Sequence, residues 1–184
     1  NIIQKFHSNI LVIPVAGNHE VINQSKDGRY EKILSMAYHD FIPDSILQDY
    51  NKTVYYKDFD DTRLIVLNPF HCRSIHRIDK DQLDWLEKAA SADRKNKVVF
   101  VHSPAYPTGA HLGRCLDSHP AERDCFWKVI DKCSVDIVFS GHEHNYSRRI
   151  IDSSFNSGKN GFENSVCQVI TGGGGEKLKA TYKS

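Results

Sequence analysis

The sequence contains no apolar run near the ~20 residues that a transmembrane helix needs. None of its five cysteines form a Cys-x-x-Cys pair, which argues against a zinc finger or a dithiol redox motif. It has no long basic run, and its formal net charge of +1 gives no sign of a general nucleic-acid surface. The first residue is not Met and no signal-like segment follows it, so these features leave the localisation open.

The chain is long enough for one ordinary domain with a hydrophobic core, and it has no internal repeat. Two of its cysteines, Cys115 and Cys125, flank a polar loop. They could remain free thiols, or they could pair in an oxidising compartment.

Short β-rich runs alternate with helical patterns, which predicts an α/β domain with mixed strand directions. We predict strands at residues 9–17, 54–60, 63–68, 97–102, 136–141, 148–152 and 165–173, and helices at 29–39, 79–93 and after Ser118. Asp79 followed by Gln82 has capping-box spacing, and Asp60-Asp61 is typical of a hairpin turn. In such folds the functional residues lie just past the carboxyl ends of the strands.

Three of the buried-looking strands end in metal-binding types of side chain. They are followed by Gly17-Asn18-His19-Glu20, by His102 and by Gly141-His142-Glu143-His144. Imidazole is the commonest nitrogen ligand for zinc, iron and similar metals, and an amide oxygen suits divalent cations. A single histidine at a strand end is usually structural, but three such strand ends together indicate a metal site.

The segment after residue 141 should place two imidazoles on one side. In extended backbone, His142 and His144 point the same way and Glu143 turns away. Gly141 would allow a close backbone approach. At the first strand end, Asn18 is expected to bind a metal, while the adjacent His19 is free to donate a proton or bind an anion. The other interpretation of that segment is a turn with a helix cap.

Taken together, these segments resemble the last three of the five motifs of the calcineurin-like metallophosphoesterases, which are GNH[DE], VxxH and GHxH. The glutamate after His19 and the HSPAY sequence from His102 resemble the purple acid phosphatase branch. That branch has a further histidine nine or ten residues beyond the VxxH histidine, and His111 stands nine residues after His102. The likeness extends over roughly residues 10–175.

The resemblance implies a layered, mixed β-sheet sandwich flanked by helices, and a role for each motif residue. Asn18, His102 and His142 would bind one metal ion and His144 a second. His19 and His111 would contact the phosphate or protonate the leaving oxygen. The family's metal pair, commonly Fe(III) with Zn or Mn or another divalent pair, activates a hydroxide that attacks phosphorus in line.

The resemblance is incomplete, because the family's first two motifs should precede Gly17 by tens of residues. Only sixteen residues precede Gly17, and no Gly-Asp dipeptide occurs in the sequence. We therefore expect residues 1–184 to be the C-terminal portion of a single metallophosphoesterase catalytic domain, with N-terminal strands missing. All four candidate ligands are neutral. Two divalent ions ~3.5–4 Å apart repel by about 15–20 kcal/mol at an effective dielectric of ~20, so carboxylates from elsewhere would be needed.

Two accounts of function remain. The chain is either part of a phosphoester hydrolase, or a non-catalytic module that binds one metal or none. Within the enzymes we favour an acid-phosphatase-like phosphomonoesterase acting on a phosphorylated small molecule or protein, with a phosphodiesterase or nucleotidase as the alternative. The family resemblance leans weakly towards a secreted or extracytoplasmic location.

Overall fold

The computed structural model describes residues 10–21, 27–109, 111–175 and 177–179. Within these ranges the helices are α1 Asn18–Val21, α2 Arg29–Ala37, α3 Lys80–Ala90 and α4 Pro120–Lys132. The strands are β1 Ser45–Ile46, β2 Tyr55–Phe59, β3 Thr62–Leu67, β4 Asn96–Val101, β5 Ile137–Ser140, β6 Tyr146–Ile151 and β7 Val166–Thr171.

The seven strands form one mixed sheet in the order β1-β2-β3-β4-β5-β7-β6. The four central strands β3, β4, β5 and β7 are parallel, and the outer pairs β1-β2, β2-β3 and β6-β7 are antiparallel. This confirms the predicted α/β class with mixed strand directions. Because the central strands are parallel, their carboxyl ends meet at one edge of the sheet.

The predicted strand at residues 9–17 is wrong over the part that the structure describes, since residues 11–17 have no strand pairing and Asn9 lies outside the described ranges. Pro14, in the middle of this run, has no backbone N–H for a strand ladder. Its carbonyl oxygen instead accepts a hydrogen bond of 2.7 Å from the hydroxyl of Tyr55. The run still packs on the sheet, because Ile13 and Val15 lie against a cluster that contains Tyr55.

The other predicted elements are present, with ends shifted by a few residues at most. The side chain of Asp79 caps α3 by accepting a hydrogen bond from the backbone N–H of Gln82, as the capping-box spacing predicts. Asp60, with a φ of 48°, lies in the two-residue loop between β2 and β3. This is the predicted hairpin turn.

Helices α3 and α4 cover one face of the sheet and enclose the main core. Leu86 of α3 and Phe126 and Ile130 of α4 are fully buried there, together with Val99 of β4. Because α3 and α4 pack against β4 and β5, the positions of these two strands are set by the core. The positions of the side chains that follow them are set in the same way.

The cysteines are free thiols, with Cys115 buried and Cys125 exposed. In the described part of the chain, no helix is long and apolar enough to cross a membrane.

Candidate metal centre

A cavity of about 370 Å³ opens at the edge of the sheet where the parallel strands end. All six residues that the sequence predicts for the site line this cavity: Asn18, His19, His102, His111, His142 and His144. The fold therefore brings together side chains that are widely separated in the sequence.

Asn18, His102 and His142 form the centre of this site. The Oδ1 atom of Asn18 lies 2.9 Å from Nε2 of His102 and 3.2 Å from Nδ1 of His142. Asn18 is the first residue of α1, and the two histidines follow β4 and β5, which are adjacent parallel strands. The ring centroids of the two histidines are 5.3 Å apart.

Both imidazoles are held in the neutral form. Burial, helped by the neighbouring His142, lowers the pKa of His102 to about 3. Burial, helped by the neighbouring His76, lowers the pKa of His142 to about 4. A neutral imidazole carries one N–H and one lone pair, and the lone pair is what binds a metal ion.

His142 has an acceptor oxygen beside each of its ring nitrogens. Nε2 lies 3.1 Å from the backbone carbonyl oxygen of Arg114, and Nδ1 lies 3.2 Å from Oδ1 of Asn18. A neutral imidazole has a single N–H, so when Nε2 donates to Arg114 the lone pair of Nδ1 is directed at Oδ1 of Asn18. With the amide oriented in this way, two acceptors face each other, and a cation bound by both would relieve the repulsion.

This donor set fits a metal ion, and it consists of one amide and two imidazoles. Over the described ranges, no three His, Cys, Asp or Glu side chains are arranged to hold one ion by themselves. An ion held by His102 and His142 would therefore take the amide oxygen of Asn18 as its third ligand from the described residues.

The backbone around His142 differs from the extended conformation that the sequence analysis assumed. His142 has a φ of 63°, and the backbone N–H groups of Glu143 and Asn145 donate to the carbonyls of Gly141 and Glu143 over 2.7 and 2.8 Å. Two consecutive tight turns thus replace an extended segment. The imidazoles of His142 and His144 nevertheless both lie against His111, with ring centroids 4.6 and 5.8 Å from it.

His111 and His144 extend the site beyond the central three residues. The Nδ1 atoms of both rings are buried and have no hydrogen-bond partner among the described residues. Burial lowers the pKa of His111. A buried nitrogen without a partner is costly unless a ligand completes it, so these two rings are suited to bind a metal ion or a phosphate oxygen.

Glu143, which the sequence analysis placed away from the site, is fully buried and contacts the loop that carries His111. Its carboxylate accepts hydrogen bonds from the backbone N–H groups of Thr108, Gly109 and His111. The sequence pattern did place its side chain opposite the two histidines, but it gave no sign of this contact.

His76 is a second residue that the sequence analysis missed. Its ring centroid lies 4.9 Å from that of His142, and its Nδ1 lies 2.6 Å from Oγ of Ser103, the residue after His102. Burial, with a smaller effect of His119, lowers its pKa to about 4. His76 lies in the loop before α3 and in no recognisable motif, so only the fold reveals it.

Gly17 allows the close approach of α1 to the site. A Cβ atom at this position would lie 2.9 Å from the ring of His102 and 2.8 Å from Oε2 of Glu20. The same Glu20 oxygen accepts a hydrogen bond of 3.0 Å from the backbone N–H of Gly17. The segment is therefore a capped helical turn that begins with Asn18, as the second interpretation from the sequence predicts, and metal binding by Asn18 stays a prediction.

A larger cavity of about 990 Å³ adjoins the site. Thr171 and Gly174 line both cavities, and Tyr146 and Arg148 of the edge strand β6 line the larger one. A molecule bound at the histidines could extend into this space.

The chain is similar in sequence to known phosphoesterases. The sequence model of the calcineurin-like phosphoesterase family matches residues 1–146. Over 75 residues, or 38% of the chain, it is 37% identical to purple acid phosphatase 22 of Arabidopsis thaliana. Over 109 residues, or 54% of the chain, it is 30% identical to Fe(3+)-Zn(2+) purple acid phosphatase 12 of the same plant. These names confirm the predicted likeness to the purple acid phosphatase branch.

The fold is similar to that of purple acid phosphatase PPD1 from yellow lupin (Lupinus luteus) seeds, with a TM-score of 0.67 and 19% identity. That match covers 92% of this chain and 32% of the lupin protein. The structure of PhoD is a second match, with a TM-score of 0.51 and 13% identity over 78% of this chain and 34% of the other. The chain spans only 16% and 21% of the length of the two Arabidopsis relatives.

Proposed function

This chain belongs to the calcineurin-like phosphoesterase family, and on that premise we propose that it carries part of the active site of a metal-dependent phosphomonoesterase similar to the purple acid phosphatases. The observation that carries the proposal is the position of Asn18 Oδ1, within 3.2 Å of a nitrogen of each of two half-buried imidazoles. Without a bound cation, a neutral His142 faces an acceptor oxygen at both ring nitrogens and can donate to only one of them.

Each residue of the site has a proposed role. Asn18, His102 and His142 would hold one metal ion through Oδ1, Nε2 and Nδ1. His144 would hold a second ion, because its ring lies on the same cavity and its buried Nδ1 has no partner among the described residues. The name of one relative includes Fe(3+) and Zn(2+), so an iron–zinc pair is the first candidate for the two ions. Such a pair, when bound, supplies a hydroxide nucleophile at neutral pH and neutralises phosphate oxygens.

His19 and His111 would act on the substrate. The exposed side chain of His19 and the half-buried ring of His111 line the cavity beside the proposed metal ligands. Either imidazole, protonated, could donate a hydrogen bond to a phosphate oxygen and then a proton to the leaving oxygen. The hydrogen bond from the backbone N–H of His111 to Glu143 supports the assignment of the phosphate contact to His111.

The charge of the site indicates that other parts of a catalytic domain contribute to it. The proposed ligands are neutral, and the carboxylates nearest to them in the sequence are engaged elsewhere. Glu20 accepts from Gly17, and Glu143 accepts from the backbone of Thr108, Gly109 and His111. Two adjacent metal ions need anionic ligands to offset their repulsion. We therefore propose that residues 1–184 form a portion of a larger catalytic domain, whose substrate is a phosphorylated small molecule or protein.

The test uses the full-length protein, purified with its metal and assayed with p-nitrophenyl phosphate and with bis(p-nitrophenyl) phosphate. We expect hydrolysis of the monoester that is lost on chelation and restored by added metal. A preference for the diester would favour a phosphodiesterase or nucleotidase, a candidate that the 990 Å³ cavity beside the site supports because it leaves room for a second substituent. Stoichiometric metal without hydrolysis of either compound would indicate a non-catalytic metal-binding module.

A further inference from the structure

We propose that Glu143 is a positioning residue, whose buried carboxylate fixes the backbone of Thr108, Gly109 and His111 so that the His111 imidazole faces the substrate phosphate. This inference rests on the proposed function, in which His111 contacts the phosphate. Glu143 lies between two proposed metal ligands in the sequence, His142 and His144, yet its carboxylate points into the loop.

The carboxylate of Glu143 accepts hydrogen bonds from four donors. Oε2 accepts from the backbone N–H of Thr108 at 2.7 Å, and Oε1 accepts from the backbone N–H groups of Gly109 and His111 at 2.9 and 3.1 Å. The hydroxyl of Thr108 is a fourth donor at 3.4 Å from Oε2. Hydrogen bonds to a charged acceptor are about twice as strong as those between neutral groups.

Because Glu143 is buried, these hydrogen bonds strongly stabilise the observed conformation of the loop. Glu143 is fully buried, and a buried carboxylate is strongly destabilising unless hydrogen bonds compensate for its lost hydration. The three backbone N–H groups that compensate it all belong to the segment leading to His111, so the loop and the charge hold each other in place. Thr108, Gly109 and His111 lie outside the helices and strands of the described residues. No helix or strand hydrogen bonds could therefore take the place of their bonds to Glu143.

The backbone of Glu143 is itself packed against the chain that follows β7. A Cβ atom at Gly172 would lie 2.0 Å from the backbone oxygen of Glu143, so the chain after β7 packs directly against this residue. The backbone N–H of Gly172 also donates to the carbonyl oxygen of Asn145 over 3.1 Å. Glu143 is thus fixed between the ends of β5 and β7 and transmits their position to His111.

The experiment compares Glu143→Gln with the wild type in the full-length protein, alone and combined with His111→Ala. A glutamine keeps the shape of the side chain but replaces one acceptor oxygen with an N–H2 group, which faces backbone donors. We expect kcat/KM for p-nitrophenyl phosphate to fall about 10- to 100-fold with metal content retained, a size typical of residues that orient functional groups. In the His111→Ala background, the same change should have almost no further effect.

Hydrogen–deuterium exchange supplies a readout that does not depend on catalysis. Faster exchange at the amides of Thr108, Gly109 and His111 in Glu143→Gln supports the anchoring, and unchanged exchange there overturns it even if the protein proves to have no phosphatase activity. Equal losses of kcat/KM in both backgrounds, wild-type activity in Glu143→Gln, or loss of metal would each contradict positioning through His111. If Glu143→Gln does not fold, Glu143→Asp keeps the charge with a shorter reach, and the same criteria apply to it.

Discussion

Oδ1 of Asn18 lies 2.9 Å from Nε2 of His102, although the two residues are 84 positions apart in the sequence. One of them begins a short helix after an irregular apolar run, and the other follows the central strand β4. Their contact, with His142 close to the same oxygen, places the site at the carboxyl edge of the parallel strands. That edge is where open α/β sheets bind their ligands.

The role of His111 can be separated from metal binding. We expect His111→Ala in the full-length protein to retain its metal ions, because His111 is not one of the proposed ligands. We expect kcat/KM for phosphomonoesters to fall by about 10²-fold, the lower end of what a general acid contributes. Steady-state kinetics together with elemental analysis checks this, and an unchanged kcat/KM would make His111 an ordinary loop residue.

Gly172 should be intolerant of any side chain. A Cβ atom there would lie 2.0 Å from the backbone oxygen of Glu143. Because that oxygen belongs to the backbone, the clash could be relieved only by a shift of the chain itself. We expect Gly172→Ala to lower the free energy of unfolding by about 3 kcal/mol, as severe overpacking does. Thermal denaturation measures this. Gly174→Ala is the matched control, since nothing lies within 4 Å of the corresponding position, and an equal loss in both variants would contradict the close approach.

Asp58 holds a buried arginine and should therefore stabilise the fold. Its two carboxylate oxygens accept hydrogen bonds of 2.7 and 2.8 Å from the guanidinium of Arg63, which is almost fully buried and also donates to the carbonyl of Ala89. Removing the charge would leave Arg63 poorly compensated. We expect Asp58→Asn to lower the free energy of unfolding by about 3 kcal/mol at pH 7, as measured by urea denaturation.

The effect of Asp58 should depend on pH with a defined sign. The hydrogen bonds from Arg63 lower the pKa of Asp58 in the folded protein. A carboxyl group with a lowered folded pKa stabilises the protein fully above its unfolded pKa of about 3.9, and this contribution is lost as the pH falls through the lowered value. The difference between wild type and Asp58→Asn should therefore shrink in acid. The exposed Asp61→Asn is the control, and a difference that grows in acid would refute this explanation.

Much of the site could be predicted from the sequence, because its residues follow recognisable strands. The strands before His102 and His142 are short apolar runs, and parallel strands bring their carboxyl ends to one edge whatever their separation along the chain. The strand predicted before Asn18 is wrong, because this run pairs with no strand of the described residues, and Pro14 lacks a backbone N–H for such a ladder. The helical turn still places Asn18 at the same edge.

The residues that the sequence analysis missed depend on loop conformation. Glu143 contacts Thr108 and Gly109 from a segment in which His142 takes a left-handed conformation, and the sequence pattern does not indicate this conformation. His76 reaches His142 from the loop before α3, and such long-range contacts between irregular segments have no periodic signature.

The metal content of the full-length protein tests the central claim most directly. We expect elemental analysis to find metal in the wild type and at least tenfold less in His102→Ala and His142→Ala. The exposed His39→Ala is the matched control and should retain the wild-type content. If the two site variants bind as much metal as the wild type, or if the wild type binds none, Asn18, His102 and His142 form only a hydrogen-bonded cluster and the account is contradicted.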